Sequence, residues 1–97
     1  MARKNIAGLR KRIDSVDRKI TRLLLRRARM VKAIGSLKRK KHLPVVDRSR
    51  EKRIEERIEA LRTDGRTKEA IKKVYRAIFR GSYDIEKGDR TENGHEC

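Results

Sequence analysis

From Ile6 the chain repeats an apolar residue at alternating steps of four and three: Leu9, Ile13, Val16, Ile20 and Leu23, then Met30, Ile34 and Leu37. This spacing lines one stripe of a helix that packs against partner helices. One position breaks the stripe, because the same count lands on Arg27 between Leu23 and Met30. A guanidinium stays charged, and burying a charge without a counter-ion costs several kcal/mol or more, on the order of what holds a small domain together. Arg27 therefore needs an anion, either a carboxylate of the protein or one carried by a ligand.

The stripe predicts a helix from about Asn5, a suitable N-cap, to about Lys41. Gly35 weakens it by up to roughly 1 kcal/mol without ending it. The break falls at His42-Leu43-Pro44, because the residue before a proline is driven out of helical geometry. A second helix is expected from near Asp47 to near Arg62, with Ile54, Ile58, Leu61, Glu51 and Asp47 on its inner face and Thr63-Asp64-Gly65 as its stop. A third is expected from about Thr67 to about Glu86, with the stripe Ile71, Val74, Tyr75, Ile78, Phe79, Ser82, Ile85 and Glu86. Residues 87–97 lack apolar content and read as a frayed tail, leaving one helical domain over 1–86. With 3% aromatic and 45% charged residues, few of them strand formers, the fold class is all-α.

The first helix is too long for a small globule. About 37 residues at 1.5 Å each span ~55 Å, whereas a compact domain of this size has a radius of gyration of ~12–13 Å. Its seam needs a second copy to cover it, so an intertwined homodimer with the long helices packed together is expected.

Charge is uneven. Residues 1–41 hold sixteen Lys and Arg against two acidic residues, and the rest of the chain holds fourteen against twelve. Such a field draws anions, and nucleic acid, an anionic membrane surface and small polyanionic metabolites all satisfy it. A helical nucleic-acid-binding protein is one reading. Against it stand the missing aromatic platforms and helix-turn-helix signature, and the acidic residues Asp47, Glu51 and Glu86 on inner faces. The single cysteine, Cys97, cannot form an intrachain disulfide, which fits a cytoplasmic protein. No segment has the apolar length of a signal peptide or a bilayer span.

Polar residues recur on the buried side of each expected helix. The first has Arg27 and, eleven residues on and nearly in line, Lys38. The second has Asp47 and Glu51 with Arg50 beside them, and the third has Ser82 and Glu86. Three such faces brought together make a polar pocket inside a bundle, where ligand sites are built. Internal salt bridges are the competing explanation, although fixed ion pairs in a small core add little over apolar packing. Arg10 lies ~26 Å along the helix from Arg27 at 1.5 Å per residue, so the two reach one small ligand only from different chains of an antiparallel dimer.

These residues resemble the all-helical, AroQ-type chorismate mutases. The resemblance covers nearly all of residues 6–86. It rests on Leu9-Arg10-Lys11-Arg12-Ile13-Asp14, Arg27, Gly35-Ser36-Leu37-Lys38, and above all Pro44-Val45-Val46-Asp47-Arg48-Ser49-Arg50-Glu51. Ser82 followed four residues later by Glu86 completes the pattern. The resemblance implies a dimer of three-helix chains with two equivalent sites that convert chorismate to prephenate, on the route to aromatic amino acids. It assigns the two substrate carboxylates to Arg27 and to Arg10 of the partner chain. Lys38 would donate to the ether oxygen, and Glu51, with the backbone near Asp47, would take the ring hydroxyl. Arg50 and Ser82 would form the carboxylate-side wall, with Glu86 across the ether oxygen from Lys38. Many relatives have Gln where this chain has Glu86, so the acid there must carry a proton to help. No metal or redox cofactor is implied, and Cys97, His42 and His95 form no cluster. An isochorismate pyruvate lyase shares the fold and the lysine, and a non-catalytic dimerisation module with a decayed site is a further alternative.

Overall fold

The computed structural model describes residues 5–88, and within them there are three helices and no strand: α1 (Ile6–Lys41), α2 (Arg48–Glu59) and α3 (Gly65–Lys87). The chain divides into two units, one reaching to Met30 and the other beginning at Val31. The expected tail lies mostly outside the described residues; Lys87 closes α3 and Gly88 follows it.

In the first unit, the Asn5 side chain accepts the Gly8 N–H at 2.6 Å, the cap expected there. The apolar stripe lies open to solvent: Ile13, Ile20 and Leu23 are 54%, 47% and 57% exposed.

In the second unit, α1 buries a different row. Val31 and Gly35 are its buried residues, with Lys38 half-buried below them. Gly35 is needed for this packing. A Cβ there would stand 2.7 Å from the Glu86 Cα and 2.8 Å from its carbonyl oxygen, so α1 and α3 touch backbone to backbone. The helix then ends in a Schellman-type turn. His42 takes φ 57°, its N–H donates to Arg39 O at 3.2 Å, and the Leu43 N–H donates to Lys38 O at 2.8 Å. A non-glycine residue in this left-handed conformation costs about 1–2 kcal/mol. The turn folds Pro44 and Val45 back toward Lys38.

α2 and α3 form an antiparallel pair around Ile54, Ile58 and Phe79, with Ile71, Tyr75 and Tyr83 packed against them. Exposed ion pairs follow the same register: Arg76 to Glu55 at 3.6 Å and Lys72 to Glu59 at 2.7 Å. Two boundaries differ from expectation. α2 stops at Glu59, leaving Leu61 beyond the helix and 44% exposed. Asp64-Gly65 does not merely stop α2; Asp64 caps α3 by accepting the Thr67 N–H at 2.8 Å, and Gly65 is the first helical residue. On α3, Val74 and Ile85 are exposed rather than core.

Candidate active site

The turn after α1 and the C-terminal end of α3 meet at Lys38. Its Nζ donates to Val45 O at 2.8 Å and to Glu86 Oε1 at 2.8 Å. The lysine side chain is 17% exposed and that of Glu86 7%. An ammonium has three N–H donors, so these two bonds leave one to give. Arg39 secures the arrangement from outside by donating from Nη1 to the Glu86 carbonyl, which is one of the orphan acceptors at a helix end. Both cations stand at the negative end of the α3 dipole, where positive charge is favoured.

A second network begins at the start of α2. The Asp47 carboxylate caps the helix by accepting the Arg50 N–H at 3.0 Å. The Asp47 N–H donates to the Tyr83 hydroxyl at 3.2 Å, and that hydroxyl donates in turn to Glu51 Oε2. Arg48 approaches the other oxygen of Glu51 at 3.3 Å. Burial, and then the bond to Glu51, push the Tyr83 phenol above its usual titration range, so it stays a donor.

Two open cavities flank these networks. One, of about 290 Å³, is lined by Lys38, Leu43, Pro44, Val46, Asp47 and Arg48. The other, of about 410 Å³, includes Val46, Arg48, Glu51, Phe79, Arg80 and Tyr83. They share Val46 and Arg48, so Lys38 and Glu51 open onto adjoining space.

Of the residues singled out in the sequence, the second unit brings Lys38 into contact with Glu86 and ties Asp47 to Glu51 through Tyr83. Ser82 is buried one turn before Glu86, and its hydroxyl donates to Ile78 O at 2.7 Å. The Arg50 side chain is exposed. In the first unit Arg10 is exposed and Arg27 half-buried. Three participants escaped sequence reasoning: Arg39, Tyr83 and the Val45 carbonyl. Tyr83 had a signal, since it lies one helical turn after Phe79 on the core-facing side of α3. The Val45 carbonyl had none, because a main-chain group has no letter of its own. Among the described residues no group of three or more His, Cys, Asp or Glu side chains is placed to hold a metal ion, and no helix is long and apolar enough to cross a membrane.

Comparison with known proteins gives this geometry a family context. Residues 9–87 match the family described as chorismate mutase type II. Over 83 residues the chain is 39% identical to the bifunctional chorismate mutase/prephenate dehydratase of Aquifex aeolicus, a match covering 81% of this chain and 23% of that protein. Over 56 residues it is 38% identical to a chorismate mutase of Methanocaldococcus jannaschii, covering 58% of this chain and 57% of the relative. The chain thus spans less than two thirds of the length of either curated relative. Among solved structures it resembles form II of chorismate mutase from Thermus thermophilus, with a TM-score of 0.77 and 37% identity over 87% of this chain and 96% of that one. A conserved hypothetical protein from Pyrococcus furiosus follows at TM-score 0.69 and 28% identity, covering 88% and 99%.

Proposed function

The chain belongs to the type II chorismate mutase family, and on that premise we propose that it converts chorismate to prephenate. The reaction is intramolecular. The ether C–O bond breaks as a C–C bond forms between the enolpyruvyl arm and the ring, and no atom is gained or lost. No nucleophile is required, so the protein's task is to hold the arm over the ring and to stabilise charge in the transition state.

The observation that carries this reading is the position of Lys38. Its ammonium is held by Val45 O and Glu86 Oε1, borders an open cavity, and retains a donor for the ether oxygen as negative charge grows there. Glu86 stands on the same ammonium, where a protonated carboxyl would give the oxygen a second donor. Glu51 and the Asp47 N–H take the ring hydroxyl, while Ser82 and Arg50 flank the carboxylate side. Arg27, with Arg10 from a second copy, supplies the cations for the two substrate carboxylates. The solvent-exposed stripe of α1 supports the homodimer this requires, since long apolar stripes are ordinarily covered by a partner.

The test is to mix purified protein with chorismate, follow the loss of its absorbance and identify prephenate as product. Removing one preorganised donor costs about 10²–10³ in kcat, so Lys38→Ala should lose at least about 100-fold. Arg10→Ala and Arg27→Ala should each be nearly inactive alone, and mixing the two should restore activity, because a mixed dimer carries one intact site. Binding without turnover, release of pyruvate in place of prephenate, or a monomer that is fully active would overturn the proposal.

A further inference from the structure

We propose that the Tyr83 hydroxyl is an internal stand-in for the substrate's ring hydroxyl, filling its subsite in the empty enzyme and giving way when substrate enters. The inference rests on the chorismate reading above and adds a residue which that reading does not use.

The argument is one of shared partners. The ring hydroxyl is assigned the Glu51 carboxylate as acceptor and the Asp47 main-chain N–H as donor. In this structure both are already engaged by one group: Tyr83 accepts from the Asp47 N–H at 3.2 Å and donates to Glu51 Oε2. A phenol and an alcohol have the same inventory, one donor with acceptor lone pairs, so either satisfies the pair. A single N–H directs one well-aligned bond to one acceptor, so the two hydroxyls cannot both have it. The phenol also has somewhere to go. Tyr83 borders the open cavity of about 410 Å³, and its ring sits at the edge of the Ile54, Ile58 and Phe79 cluster rather than inside it.

Two consequences follow for selectivity. A hydroxyl-bearing ligand must displace the phenol and so gains little from its own hydroxyl. A ligand lacking the hydroxyl binds with Tyr83 still in place. The tyrosine therefore lowers the affinity for substrate and blunts discrimination for the hydroxyl.

Tyr83→Phe removes the competitor and keeps the ring. The KM for chorismate should fall about three- to ten-fold with kcat unchanged, the size expected when a hydrogen bond of modest net worth no longer has to be broken. If Tyr83 instead positions Glu51 for the substrate, KM rises; a raised or unchanged KM overturns the inference. A second measurement needs no variant. Calorimetric titration of the wild-type protein with prephenate, and with its counterpart lacking the ring hydroxyl, should give dissociation constants within about three-fold of each other; a loss of more than about ten-fold without the hydroxyl overturns the inference. Wild-type protein that neither binds nor converts chorismate overturns the functional reading and this inference together, whereas an active wild type with an unmoved KM overturns this inference alone.

Discussion

Substituting Gly35 by alanine tests the packing that places Lys38 against Glu86. In an ordinary exposed helix the change is stabilising by about 0.5–1 kcal/mol, because alanine surrenders less backbone freedom. Here the new methyl would lie 2.7 Å from the Glu86 Cα and 2.8 Å from its carbonyl oxygen. Carbon atoms rest about 3.5–4.0 Å apart, so the shortfall is about 1 Å. Both obstacles are main-chain atoms and cannot rotate aside; α1 and α3 must separate. Overpacking of this kind costs about 1–3 kcal/mol, which outweighs the helix-propensity gain and leaves a net loss of about 1–2 kcal/mol. For a domain of this size each kcal/mol moves Tm by about 4–8 °C. Gly81 is the internal control: a Cβ there meets nothing within 4 Å, so Gly81→Ala should raise Tm by a few degrees. Thermal melts followed by circular dichroism, at matched protein concentration because an oligomer's Tm depends on it, should move the two variants in opposite directions. The same separation pulls Glu86 off Lys38, and a misplacement of about 1 Å costs on the order of 100-fold in rate. A Gly35→Ala protein that melts as high as Gly81→Ala and keeps full activity would refute the reasoning.

Two further outcomes are expected. An amide at position 86 keeps a donor beside the ether oxygen and a methyl does not, so Glu86→Gln should retain turnover whereas Glu86→Ala should lose about 10²–10³ in kcat; equal losses in the two variants would count against the role. Hydrogen bonds from Thr67, its side chain first and its amide second, lower the titration range of the Asp64 carboxyl. That stabilisation is present above the unfolded-state value and is lost as pH falls through the folded-state one, so Asp64→Ala should lower Tm near neutrality, with the difference from wild type vanishing in acid.

What could be read from the residues alone was whatever depends on local periodicity and punctuation. The stripe from Leu9 to Leu37, the Asn5 and Asp47 caps and the Pro44 break are properties of neighbours in sequence, and α1 and the start of α2 fell where they indicated. Asp64-Gly65 misled because the same pair can end one helix or begin the next; the choice is made by the Thr67 N–H three residues on. The candidate site was legible in part. Lys38 and Glu86 were singled out as polar residues on apolar faces, and they do touch. Arg39, which bonds the Glu86 carbonyl, was lost among the surrounding basic residues, and Tyr83 fell outside the stripe read on the third helix. Only the closeness of α1 and α3 at Gly35 decides that Arg39 reaches the Glu86 carbonyl, and that closeness is a property of tertiary packing.

The Lys38–Glu86 pair is poorly explained by stability. Removing two ions from water costs several kcal/mol each, and replacing a buried ion pair by apolar residues of similar volume is often neutral or stabilising. A packing role would be met as well by a methionine facing a leucine. The pair is instead set where Gly35 brings the helices into contact, where a left-handed His42 turns the Val45 carbonyl onto the ammonium, and where Arg39 holds the end of α3. Two of these devices carry their own cost, Gly35 in helix propensity and His42 in backbone strain. Together they fix one ammonium beside one acid at the edge of an open cavity. An electrostatic catalyst needs its dipoles oriented before substrate arrives, so that none has to reorganise during the reaction. The local expense makes physical sense if the fold's requirement is a preoriented donor rather than a more stable core.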